Sequence, residues 1–180
     1  SQLELEAEPM QVLAEAERVL ARWPQATEAH RLWLARSRLM VTWRTETPQQ
    51  SQARLGELKL RLRAVDDAIL ACEVQDAETG LLFDVGSLDE AWLSAEAWER
   101  CARDLGLPER EATALYSLGS IAGKGQGRSQ AEPDEHFARA LAVLGDRPAR
   151  QLRSVLLHER GVAQREVGRL EVAADHFRAA

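Results

Sequence analysis

The chain has 180 residues, 45% hydrophobic and 29% charged, with 29 acidic against 23 basic residues and a formal net charge of −6. That apolar content supports a packed core and excludes wholesale disorder. Acids and bases are interleaved, not blocked, which favours solubility and argues against nucleic acid as the main ligand, and no apolar run approaches the roughly 18 residues that span a bilayer.

Leu and Ala dominate while β-branched and aromatic residues are sparse, so helices are expected throughout. Pro9 suits the first turn of a helix, and Val12, Leu13, Ala16, Val19 and Leu20 follow at helical spacing. Trp23-Pro24 stops it, because the residue before proline is pushed out of the α region. Thr27 or Gln25 opens a second helix with Ala29, Leu32, Trp33, Arg36, Leu39, Met40 and Trp43 on one side. The stretch 45–50 reads as a loop. Leu55, Leu58, Leu62, Val65, Ile69 and Cys72 then draw one apolar seam, which predicts a third continuous helix.

Helices are further expected over about 73–85, 88–104, 109–122, from Pro133 to Leu144, and over 149–167 and 170–180. Gly86, Gly106, Gly145 and Gly168 lie at their ends. Buried free thiols are expected for Cys72 and Cys101, which fall on apolar stripes.

The chain repeats itself. Asp84-Val85-Gly86-Ser87-Leu88-Asp89-Glu90-Ala91 returns as Glu166-Val167-Gly168-Arg169-Leu170-Glu171-Val172-Ala173, both reading acid-Val-Gly-x-Leu-acid-x-Ala. One period apart, His136-Phe137-Ala138-Arg139-Ala140 returns as His176-Phe177-Arg178-Ala179-Ala180. Self-similarity at a period of about 40 residues marks stacked helical repeats.

These residues resemble the tetratricopeptide repeat (TPR), a helix-turn-helix unit with a small residue midway along helix A, and Ala, an aromatic and Ala along helix B. The last unit supplies Leu157, Gly161, Gly168, Ala173, Phe177 and Ala180. The unit before it supplies Leu115, Leu118, Gly119, Phe137 and Ala140, with Pro133 where Ala is expected. The unit before that has Gly80, Phe83, Gly86 and Ala91, but Ala95 and Trp98 at the large and small positions. The resemblance implies an all-α, right-handed α-solenoid of antiparallel helix pairs, a single repeat domain over 1–180. Its parts are an orphan helix B at about 8–26, a degenerate first repeat at 27–72, then repeats at 73–108, 109–148 and 149–180, the last truncated. Gly or Ala lets two helix backbones approach, and a bulky neighbour fills the notch. The orphan first helix and the ending inside a helix B lead us to expect a piece of a longer array, or ends that pair in a dimer.

In this family the A helices line a concave wall that receives a peptide or a partner's helix. Carried over unit by unit, the wall comprises Arg31, Ala35 and Arg38; Glu78, Leu81 and Asp84; Tyr116, Ser120 and Lys124; and His158, Val162 and Arg165. A carboxylate grip built from Asn and Lys is not expected, since the chain has no Asn and only Lys59 and Lys124. The implied function is a protein-interaction scaffold, a regulatory or sensory segment of a larger bacterial protein, similar to arrays of signalling and transcription regulators. The alternatives are a receptor domain for a small effector or peptide signal, and a helical accessory domain of an enzyme encoded elsewhere. The expected partner is a protein or peptide, in the cytoplasm, with no nucleic acid or membrane contact.

No motif points to catalysis, a cofactor or a metal. Gly123-Lys124-Gly125-Gln126-Gly127-Arg128-Ser129 is glycine-rich and basic, but a nucleotide-binding loop needs a preceding strand and Gly-x4-Gly-Lys-Ser/Thr. It reads as an inter-helix loop. His158-Glu159 lacks the second histidine of a zinc protease helix, since Val162 stands in its place. His30, His136, His158 and His176 show no zinc spacing with one another or the cysteines. Each carboxylate lies at a solvated helical position or beside an Arg suited to i,i+4 pairing, and no isolated acid falls on an apolar face. Of the five Trp residues, Trp23 at a helix end is expected to be exposed and is the best interface anchor.

Overall fold

The computed structural model describes residues 2–125 and 132–180; of the loop expected at 123–131, Gly123 and Lys124 belong to a helix and 126–131 lie outside the described residues. The described residues form nine helices and no strand: α1 (Gln2–Arg22), α2 (Glu28–Thr42), α3 (Pro48–Leu62), α4 (Ala68–Asp84), α5 (Leu88–Asp104), α6 (Pro108–Lys124), α7 (Glu132–Leu144), α8 (Arg150–Glu166) and α9 (Leu170–Ala179). They gather into two compact units, Ser1–Leu81 and Leu82–Ala180.

In the first unit, Pro9 lies inside α1 instead of opening it. Leu13 is buried as expected, but Val12 and Val19 face solvent. The expected loop at 45–50 is shorter, because Thr47 caps α3. The Gln50 amide donates to its hydroxyl at 3.3 Å and Gln50 Oε1 accepts from the Thr47 amide at 2.9 Å. Pro48, which has no amide hydrogen, fills the first helical position.

The seam expected to run unbroken from Leu55 to Cys72 crosses a turn. Leu55 and Leu58 are buried on α3 and Cys72 on α4, but Ile69 is exposed. The cause is Asp67. Its Oδ1 accepts the Leu70 amide at 2.9 Å, which starts a new helix, and its Oδ2 accepts the Trp33 indole at 3.0 Å. A short polar side chain that caps a helix competes with helix continuation, and the apolar spacing does not register this. Asp67→Ala is expected to cost about 2 kcal/mol, combining a lost cap with an unsatisfied indole donor; urea denaturation checks it. Leu32, Leu39, Leu55, Leu58, Leu70, Val74, Ala77 and Leu81 form the core of this unit.

In the second unit consecutive helices pack on each other from α5 to α9, and α6 also touches α8. Its core joins Ala91, Ala95, Ala112, Leu115, Leu118, Ile121, Phe137, Ala140, Leu144 and Leu156. Trp98 is also fully buried, while Leu105 is exposed.

The sequence echoes correspond to repeated local geometry. Gly86 and Gly168 both take positive φ, 82° and 79°, where a Cβ would be strained. The next amide reaches back over the helix end in both places, Ser87 to the Leu82 carbonyl and Arg169 to the Gln164 carbonyl, each at 2.9 Å. This is the Schellman closure of a helix. The second echo places two aromatic rings. A Cβ added to Gly119 or Gly161 would come closer than 3.0 Å to the ring of Phe137 or Phe177 respectively.

Gly80 carries the same notch, but its filler differs from the repeat pattern. Ala95 is too small for the position, and the ring of Trp43, from the end of α2, lies over Gly80 instead. Neither cysteine forms a disulfide; Cys72 is buried as expected and Cys101 is half-buried. Glu99, 6% exposed, has the i,i+4 Arg expected of such an acid, whereas Glu73, 3% exposed, has none and corrects the expectation. Glu99 meets Arg103 and Arg139, and Glu73 meets Arg36 at 2.8 Å.

Candidate functional site

The wall residues of the first unit are engaged with their own chain. Arg31 lies 3.7 Å from Glu28, Arg38 lies 2.6 Å from Glu17 on α1, and Glu78 lies 2.6 Å from Lys59 on α3. Leu81 is buried and Asp84 is exposed at the end of α4. A small hollow of about 320 Å³ opens between α1 and α2, lined by Leu20, His30, Trp33 and Leu34 among others. Trp23 is exposed, as expected, with its ring edge-on to His30 at 4.6 Å.

Four wall residues of the second unit, Tyr116, Ser120, Lys124 and Val162, come together. Tyr116, Ser120 and Lys124 lie on one side of α6, at spacings of four residues that keep them on one face. Opposite stand Glu159 and Val162 of α8, with Glu166 at its end. Phe83 and Phe137 complete a hollow of about 340 Å³. The Lys124 ammonium sits 3.8 Å from the centroid of the Phe83 ring, a cation–π contact. The Ser120 hydroxyl donates to the Tyr116 carbonyl at 3.0 Å.

Tyr116 also lines a second, larger hollow of about 1040 Å³ where the first turns of α6 and α8 converge. Its floor is apolar, from Leu107, Pro108, Leu152 and Val155, and its rim carries Arg110, Arg147 and Arg150 beside Glu109. The two hollows share Tyr116, and both are lined by residues of α6 and α8. Arg147 is partly held in place, since its guanidinium donates to the Val143 carbonyl at 3.2 Å.

His158 and Arg165 line neither hollow; both are exposed, and His158 faces the Phe177 ring at 5.4 Å. The residues that sequence reasoning missed are Glu159, Glu166, Arg110, Arg147 and Arg150. Glu166 stands one residue from the expected Arg165, within the uncertainty of placing a helical face from spacing. Arg147 sits in the turn before α8 and Arg150 at its first residue, outside the positions that the repeat pattern ranks. The glycine-rich stretch at 123–129 lies outside the described residues beyond Gly125. Among the described residues no group of three or more His, Cys, Asp or Glu is placed to hold a metal ion, and no helix is long and apolar enough to cross a membrane.

The chain matches no protein-family model and no curated protein sequence. Its fold is similar to that of BtubC (BKLC) from P. vanneervenii, with a TM-score of 0.72 and 18% identity over 99% of this chain and 73% of that one. It is also similar to a signal-transduction ATPase with numerous domains (STAND) with a tetratricopeptide repeat sensor, from Pyrococcus horikoshii. There the TM-score is 0.76 and the identity 18%, over 97% of this chain but only 26% of that one. The likeness is one of fold, and the fold is a helical repeat.

Proposed function

We propose that the chain is a TPR-type, right-handed solenoid of antiparallel helix pairs, acting as a non-catalytic scaffold that captures a peptide or a partner's helix. Within it α2, α4, α6 and α8 are the A helices, and the groove along α6 and α8 is the docking site. The observation that carries this reading is the convergence of Tyr116, Ser120, Lys124 and Val162 on one groove, as the repeat pattern requires of A-helix positions. The Gly119–Phe137 and Gly161–Phe177 notches support the helix pairing. The TPR sensor of the STAND protein supports a regulatory or sensory setting, which we place in the cytoplasm.

Tyr116 has the character of an interface anchor, a large amphipathic ring at the centre of the groove. Val155, at 37% exposed, offers the apolar floor. Screening the chain against a peptide array is expected to give binders whose affinity falls about thirtyfold with Tyr116→Ala, roughly the 2 kcal/mol of an interface hot spot. Val155→Glu is expected to weaken the same binders with the circular dichroism melt unchanged. Binders indifferent to both substitutions would remove the groove from the proposal.

A second reading has one observation in its favour. The 340 Å³ hollow beside Lys124 falls at the lower end of the size range of small-ligand sites. A metabolite that raises the melting temperature by several degrees, and loses that effect in Phe83→Ala, would favour an effector receptor.

A further inference from the structure

The two ends of the α6–α8 groove carry opposite charge. At the end built from 107–116 and 147–155, the rim holds Arg110, Arg147 and Arg150 against one acid, Glu109. At the other end Glu159 and Glu166 stand with one base, Lys124, whose ammonium already rests on the Phe83 ring. Tyr116 joins the ends. The basic end runs against a chain whose net charge is −6, so overall composition does not produce it.

Helix α8 contributes Arg150 to the basic end and Glu159 and Glu166 to the acidic end, and Arg150 is of the wrong sign for the start of a helix. Arg150 is its first residue and Glu166 its last, and both are exposed. A helix is partly positive at its N-terminus and partly negative at its C-terminus, so acid first and base last is the stabilising order. Helices α5 and α6 open on acids, Asp89 and Glu90 in one and Glu109 and Glu111 in the other, while at the far end α5 closes on Arg103-Asp104 as α8 closes on Arg165-Glu166, so α8 departs from them at its first turn. In α8 the first turn has no acid at all. At Arg150 the local choice opposes the stability of its own helix, which marks a position kept for another purpose.

We infer that the groove takes a peptide with an apolar centre, acidic residues at one end and basic residues at the other. The acidic end lies by Arg110, Arg147 and Arg150, and the basic end by Glu159 and Glu166, so charge fixes which way round the peptide lies. This rests on the reading of the groove as a peptide site and adds the partner's chemistry and direction. From Glu109 to Lys124, α6 spans about 22 Å at about 1.5 Å per residue. An extended peptide covers that with about seven residues at roughly 3.3 Å each.

The test uses fluorescein-labelled peptides that share a Leu-Phe-Leu core and differ only in their flanks: acidic then basic, basic then acidic, acidic at both ends, or uncharged. Anisotropy titration at low salt is expected to rank one mixed-charge probe about tenfold tighter than every other, the gap closing in high salt. In the variant Arg150→Glu/Glu159→Lys/Glu166→Lys, the order of the two mixed-charge probes is expected to reverse. The changes at 150 and 166 favour the α8 dipole, so an unchanged melting curve is expected and unfolding does not explain the reversal. Equal binding of all four probes overturns the charge-directed reading while leaving the groove as a peptide site. Absence of binding by every probe overturns both.

Discussion

Gly119→Ala is expected to destabilise the second unit by about 2 kcal/mol, and Gly161→Ala by less than half of that, although the two glycines occupy equivalent repeat positions. The initial clash is the same, since an added Cβ would come closer than 3.0 Å to three ring atoms of Phe137 in one case and of Phe177 in the other. What differs is the freedom of the ring to move. Phe137 is 3% exposed and sits in the core with Ala112, Leu115 and Ala140, so it has nowhere to go. Phe177 is 37% exposed on α9 and can rotate toward solvent. Overpacking costs most where neighbours cannot yield. Chemical denaturation of both variants followed by circular dichroism measures the difference. Phe137→Leu placed beside Gly119→Ala is expected to recover more than half of the loss, a coupling that distant residues would not show. Equal losses at the two glycines would mean that freedom of the ring does not decide the outcome, since backbone propensity, about 1 kcal/mol in favour of Ala within a helix, opposes the clash equally at both.

The same notches show what was legible in the sequence. The pairs Gly119–Phe137 and Gly161–Phe177 follow from small and large residues at fixed spacing, and the helices α5 to α9 fall within a residue or two of where periodicity and the glycine stops put them. The first unit was less legible because its decisive signals are not periodic. The break at 63–67 depends on one carboxylate that caps α4 and also holds the Trp33 indole. The filling of the Gly80 notch by Trp43 depends on a residue beyond the end of α2, where no repeat position predicts an aromatic. In the groove, the pattern gave the apolar and hydroxyl-bearing positions Tyr116, Ser120 and Val162. It missed the charged rim, because Arg147 comes from a turn and Glu159 is one residue off the ranked face. Periodicity reports which side of a helix is inward; it does not report which turn residues the next helix brings alongside.

Arg36→Met is expected to cost about 3–5 kcal/mol, the largest single loss in the first unit, because it strips the counter-charge from a buried acid. Arg36 is 15% exposed and lies on the inward side of α2. One guanidinium nitrogen sits 2.8 Å from Glu73 Oε2 and 2.6 Å from Asp76 Oδ2, and its Nε donates to the Glu73 carbonyl at 3.3 Å. The approach to Glu73 Oε2 is off the hydrogen-bond axis, so that contact is Coulombic. With only 4% of the Glu73 side chain exposed, water does not replace the lost charge. Asp76, at 22%, is better solvated and contributes less. Since small domains are stable by about 5–15 kcal/mol in all, the variant is expected to shift the urea midpoint of the first unit strongly. Arg36→Lys keeps the charge but not the planar fork, and is expected to fall between the two. The deciding comparison is the double variant Arg36→Met/Glu73→Met. If burial of a carboxylate deprived of the Arg36 charge is the cause, removing it restores more than half of the stability, because an apolar pair of similar volume carries no desolvation cost. If the double variant is as unstable as the single, Arg36 acts through the packing of its aliphatic stem instead. A loss below about 1 kcal/mol for Arg36→Met would put the pair among solvated surface ion pairs and contradict its burial.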